Sequence, residues 1–85
     1  MPFVTVRVSA PANRLIYING NYTQPAGNTS DDSFVVPPGG QVFETLDGGR
    51  CIDFRKRFRV RRDDTEVTVE LDPVDPPEPT GEAPE

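Results

Sequence analysis

No histidine and no tryptophan occur in this chain of 85 residues, and cysteine occurs once, as Cys51. Without histidine the commonest general base is missing, and with it histidine-dependent catalytic triads and most zinc sites. A single cysteine cannot close an intrachain disulfide, the usual staple of small secreted domains. Cys51 also has no imidazole to activate it, so it reads as a small buried hydrophobe in a strand. No apolar run exceeds five residues, so no segment reads as a membrane-spanning helix. The start, Met1-Pro2-Phe3-Val4, has no basic stretch leading into a long apolar one. A secretory signal is therefore not expected, and the chain is expected to remain in the cytosol that makes it or to be cut from a larger parent.

What is present is proline, 10 residues, and glycine, 7. Such content suits short strands joined by tight turns better than helices, and no window combines a helical 3.6-residue period with capping residues. Charge is divided along the chain. Residues 1–62 hold all nine bases against five acids, a net of +4, whereas residues 63–85 hold nine acids and no base.

Alternation of apolar and polar residues marks the strands. Phe3 to Val8 reads as the first, with Val4, Val6 and Val8 on one face, and Arg14 to Ile18 as the second. Asn19-Gly20 accepts the positive φ of a type I′ turn, which would set Tyr17 opposite Tyr22 across a hairpin. Residues 24–33 read as a polar loop. Phe34 to Val36 and Gln41 to Leu46 read as strands around the turn Pro37-Pro38-Gly39-Gly40. After Asp47-Gly48-Gly49, Arg50 to Phe54 is open between a strand and an irregular edge. A last hairpin is expected between Arg55–Arg62 and Thr65–Leu71 around Asp63-Asp64. It would bury Val60 opposite Val67 and Phe58 opposite Val69, and would expose Arg61 opposite Glu66 and Arg57 opposite Glu70. The fold class is all-β: a small immunoglobulin-like sandwich of about six or seven short antiparallel strands over residues 1–71. Residues 72–85 form an acidic, proline-rich tail, extended or disordered.

Three features resemble PEGA-type domains, small sandwich modules of bacterial and phage-related proteins. They are the strand and proline turn from Val6 to Pro11, the segment Leu15-Ile16-Tyr17-Ile18-Asn19-Gly20, and Val36-Pro37-Pro38-Gly39 with a terminal strand ending Val67-Thr68-Val69-Glu70-Leu71. The sequence departs from that pattern after the first hairpin, where a longer loop replaces Thr-Pro, and at the second glycine, Gly40. The resemblance implies a binding or spacer role and brings no catalytic residues.

Seven of the nine bases, Arg50, Arg55, Lys56, Arg57, Arg59, Arg61 and Arg62, crowd into thirteen residues. They read as an anion patch, or as strand charges neutralised across the last hairpin by Glu66 and Glu70. Nucleic acid is disfavoured because stacking aromatics are scarce beside them, and a protein contact suits arginine better. Asp31-Asp32 and Asp63-Asp64 lack the spaced oxygen ligands of a calcium loop and read as turn residues. The sequons at Asn21 and Asn28 read as chance. The tail is open among a solubility tail, an extended ligand for a partner groove, and an arm lying across a neighbouring copy's arginine face. On the last reading Arg55, Arg57, Arg59 and Arg61 meet Asp72, Asp75 and Glu78 in a protein interface. No catalytic, cofactor or metal site is assigned, and no small-molecule substrate or membrane insertion is expected. The expected role is a non-enzymatic structural or interaction protein, self-associating or surface-decorating, such as a phage capsid-decoration component. The alternative is a PEGA-like module engaging cell-envelope polysaccharide or a protein partner.

Overall fold

The structure, a computed structural model, describes residues 3–10, 13–28 and 33–81. Eight strands run in chain order: β1 Val4–Ser9, β2 Leu15–Ile18, β3 Gly27–Asn28, β4 Ser33–Val36, β5 Gly39–Leu46, β6 Cys51–Val60, β7 Glu66–Glu70 and β8 Asp72–Pro79. They form a three-stranded sheet, β4-β1-β7, packed on a five-stranded sheet, β3-β2-β5-β6-β8. The expected all-β sandwich is what forms, with no helix among the described residues.

The core follows from the two-residue period of strands. Val4, Val6 and Val8 of β1 all point inward, joined by Phe34 and Val36 of β4 and Val69 of β7. Ile16, Phe43 and Val60 meet them from the facing sheet. Buried polar side chains are all partnered among the described residues. Thr45 reaches Asp53, and Gln41 bonds to the Pro37 carbonyl and the Asn19 amide. Asp53 sits where the β5–β6 register shifts, and Arg14 clamps it from outside while also reaching the Leu46 carbonyl.

The Asn19-Gly20 turn forms as expected, with both residues at positive φ (55° and 79°) and Asn21 N–H donating to the Ile18 carbonyl. The Tyr17 and Tyr22 rings do meet, with centroids 6.2 Å apart. The second strand of that hairpin does not form. Asn21 Oδ1 instead folds onto the Thr23 N–H and hydroxyl, a local bond that competes with a ladder. β2 pairs on one side with β5 (Tyr17↔Glu44, Ile18↔Phe43) and on the other with the two residues of β3. Asn19 extends the β2–β5 ladder through its side chain, accepting from Val42 N–H at 2.8 Å.

The largest correction concerns the last hairpin. The chain does turn at Asp63-Asp64, where Asp64 N–H donates to the Arg61 carbonyl and Asp64 Oδ2 accepts from Arg61 N–H. β7, however, leaves β6 and pairs parallel with β1, Val67 facing Val6 and Val69 facing Val8. Glu66 therefore meets Arg7, at 3.3 Å, and not Arg61. The pairing of Val60 with Val67, Phe58 with Val69 and Arg57 with Glu70 is likewise absent. Alternation identifies which face of β7 is apolar, and that face is buried against either neighbour. On β1 it adds to the continuous valine surface and covers the open edge left beside β4.

The expected hairpin register reappears further along, in β8, where Arg55 pairs with Asp72 and Phe54 with Pro73. Residues 66–79 thus run as one extended stretch that changes sheets at Leu71, buried at 4% exposure, whose N–H donates to the Ser9 carbonyl. Of the stretch set apart as a tail from Asp72, expected to be extended or disordered, Asp72–Pro79 is an extended edge strand; residues 82–85 lie outside the described residues. Arg50 to Phe54, left open between strand and irregular edge, is strand from Cys51 onward.

Adjacent residues of β2 test the layering. Ile16 is fully buried and Leu15 half exposed. Ile16→Val is expected to lower the unfolding free energy by about 0.5–1.5 kcal/mol, and Leu15→Val to change it by no more than about 0.5 kcal/mol. Urea denaturation of the two variants checks this.

Candidate functional site

β5 and β6 form the longest ladder in the molecule, and its register decides where the arginines point. Glu44 faces Arg55, Val42 faces Arg57, and Gly40 faces Arg59. Residues at alternate positions share a face, so Arg55, Arg57 and Arg59 project from the outer surface of the five-stranded sheet. Phe54, Phe58 and Val60 turn the other way, toward the core.

At one end of this row the charges are paired within the chain. The Glu44 side chain is only 3% exposed, and both its oxygens are occupied. Oε2 accepts from Arg55 Nε at 2.9 Å, and Oε1 accepts from the Tyr22 hydroxyl at 2.7 Å. The Arg55 guanidinium, 21% exposed, reaches on to Glu78 of β8 with both terminal nitrogens, at 3.3 and 3.2 Å. The hydrogen bonds to Glu78 and then to Glu44 raise the Arg55 pKa above its ordinary value. Burial and the bond to the Glu44 carboxylate push the Tyr22 hydroxyl up to about 12. Lys56 pairs with Asp72 at 3.2 Å, near the start of β8.

At the other end the charges are bare. Arg57, Arg59, Arg61 and Arg62 are exposed, and none of their guanidinium groups makes a hydrogen bond or ion pair among the described residues. Because β7 pairs with β1, the acids expected to neutralise Arg57 and Arg61 sit on the other sheet. Arg57 and Arg59 flank a depression of about 450 Å³ lined also by Gly40, Gln41, Val42 and Phe58. Gly40 leaves the space above it open, with no atom within 4 Å of where a Cβ would stand.

The seven residues expected to form one interface are thus divided. Arg55 and Glu78 are brought together within the chain, and Asp72 pairs with Lys56. Arg57, Arg59 and Arg61 form a separate basic end, and Asp75 is exposed on β8 with no partner among the described residues. Cys51 opens β6 half-buried, opposite Pro79. Asp63 and Asp64 shape a turn, and no cluster of three acids or cysteines able to hold a metal occurs among the described residues. Asp31 and Asp32 lie outside the described residues. No helix among the described residues is long and apolar enough to cross a membrane. Sequence reasoning missed Glu44 and Tyr22. The turn Asp47-Gly48-Gly49 could have shown that β5 and β6 pair, but the register shift at Asp53, which sets Glu44 against Arg55 where the turn alone would set Phe54, has no signal in the sequence. No family model, curated protein or solved structure matches the chain.

The Tyr22 environment has a consequence at high pH. An unfolded tyrosine ionises near 10, whereas Tyr22 in the folded chain holds its proton to about 12. Its contribution is complete below pH 10 and is lost as pH rises toward 12, because only the unfolded chain gives up the proton across that window. Tyr22→Phe is expected to flatten the alkaline fall in stability and to remove the tyrosinate signal that develops near pH 12 in the near-ultraviolet titration.

Proposed function

We propose that this protein is a non-enzymatic interaction domain that seats the bare arginine end of β6 on an acidic protein surface within a larger assembly. The observation that carries the reading is the separation of charge along β6. Arg55 and Lys56 are satisfied inside the chain, whereas Arg57 and Arg59 face outward beside a depression and Arg61 and Arg62 are exposed just past the end of the strand. Arginine is favoured at protein interfaces because its planar fork binds carboxylates in pairs while its stem covers apolar surface. Fixed positive charge on a strand also steers an acidic partner toward the face before contact. The sandwich interior is filled by side chains, and its buried charges are spent on holding β5, β6 and β8 together. The most concrete form of this role is a decoration component on the outside of a virion. The PEGA-like turn chemistry implies the same general class, a module that binds or spaces.

The test is a titration with two anionic probes, polyglutamate and duplex DNA, for the wild-type chain and for Arg57→Glu/Arg59→Glu. Both positions are exposed, so the double variant is expected to fold. Polyglutamate is expected to bind the wild type in a salt-sensitive manner, and the variant about tenfold or more weakly, on the order of 1.4 kcal/mol. Equal binding by the variant, or tighter binding of DNA than of polyglutamate by the wild type, overturns the reading.

A further inference from the structure

β8 is the most exposed strand of its sheet. None of its residues is buried, and only Val74 is half-buried. Four of its eight residues are prolines, which have no N–H to donate to a ladder. Its register with β6 breaks in the middle: Phe54 pairs with Pro73, yet Ile52 pairs with Glu78, so Val74 to Pro77 have no ladder partner. The side-chain ties are Glu78 to Arg55 and Asp72 to Lys56, in which both acids are more than half exposed. Exposed pairs of this kind contribute little and weaken in salt.

What β8 covers is better built than β8 itself. β6 is paired with β5 from Ile52 to Val60, interrupted only at Asp53, and its Arg55 is bound to Glu44 as well as to Glu78. The acceptor edge, Cys51 to Arg55, is therefore organised in advance for an extended acidic strand. No loop separates β8 from β7; the single residue Leu71 lies between them. Straightening the chain beyond Leu71 carries β8 away from its own β6 while leaving the core of both sheets in place.

We propose that β8 is an exchangeable strand, and that two copies of the chain associate by laying β8 of each along β6 of the other. Every contact made within one chain is then available between two, because the donor and acceptor sequences are the same. Charge selects the occupant. The strand offers Asp72, Asp75 and Glu78, and the edge offers Arg55 and Lys56. This inference rests on the reading of the protein as an assembly component and supplies it with a mode of self-association. It is independent of the bare arginine end, so loss of one leaves the other standing.

The lone cysteine makes the exchange readable. Cys51 is the ladder partner of Pro79, and directly opposed Cα atoms lie about 4.5–5.5 Å apart, within disulfide reach. Pro79→Cys is incubated at millimolar or micromolar concentration in high salt, then diluted into low salt and oxidised at once. Non-reducing electrophoresis separates a disulfide within one chain from one between two. The expected result is a disulfide dimer that increases severalfold with the concentration of the incubation, well above the wild-type chain treated alike. A disulfide confined to single chains at every concentration overturns the proposal, as does a dimer no more abundant than that of the wild type.

Discussion

The Arg55 guanidinium, set between Glu44 and Glu78, ties together three strands of the five-stranded sheet, β5, β6 and β8. Through Glu44 it fixes β6 on β5, and Glu44 in turn holds the Tyr22 hydroxyl over the outer face of the sheet. Through Glu78 it draws an acidic, proline-rich strand onto the sheet edge. Taking charge out of water is costly, and a buried ion pair seldom adds net stability over a well-packed apolar pair. Its effect is on register. A slip of one residue along β6 would send Arg55 toward the core and set Phe54 or Lys56 opposite Glu44 in its place. The bare arginines further along the strand inherit their orientation from that register.

A second constraint acts at Leu71. An extended stretch that passes from one sheet to the other must turn where neither ladder holds it, and a buried leucine with its N–H on Ser9 marks the place. Before it, the chain serves the valine core against β1; after it, the chain closes the edge of β6. This exchange of sheets explains why one short segment carries both a strongly apolar alternation, Val67 and Val69, and a run of acids and prolines. It also takes Glu66 and Glu70 away from the far end of β6.

Much of the fold was legible in the sequence, because strands announce their faces. Val4, Val6 and Val8 could only be one buried face, and Asn19-Gly20 could only turn. Partner choice was not legible in the same way. The alternation of Val67 and Val69 fits a neighbour carrying Val60 and Phe58 as well as one carrying Val6 and Val8, and the apparent match of Arg61 to Glu66 and Arg57 to Glu70 reinforced the wrong neighbour. Surface charge pairs are too weak to decide strand order. The continuous apolar surface along β1 decides it instead. The arginine cluster was visible as composition, but its division into a paired end and a bare end depends on where β7 goes and where β8 returns. Glu44 was hidden because it lies in an otherwise ordinary strand, Gln41 to Leu46, and acquires meaning only through its cross-strand neighbour.

The two ends of β6 then perform different tasks on one backbone: an internal acid-and-arginine lock at Arg55, and an outward basic surface from Arg57 to Arg62. The lock is the premise of the whole account, and equilibrium urea unfolding of Arg55→Met tests it most directly, alongside Arg55→Met combined with Glu44→Leu. With the lock in place, the single variant leaves a buried carboxylate unpaired and loses about 3–5 kcal/mol, while the double variant recovers most of that loss. A single variant within about 1 kcal/mol of the wild type, the range of an ordinary exposed pair, would contradict the central role given to Arg55.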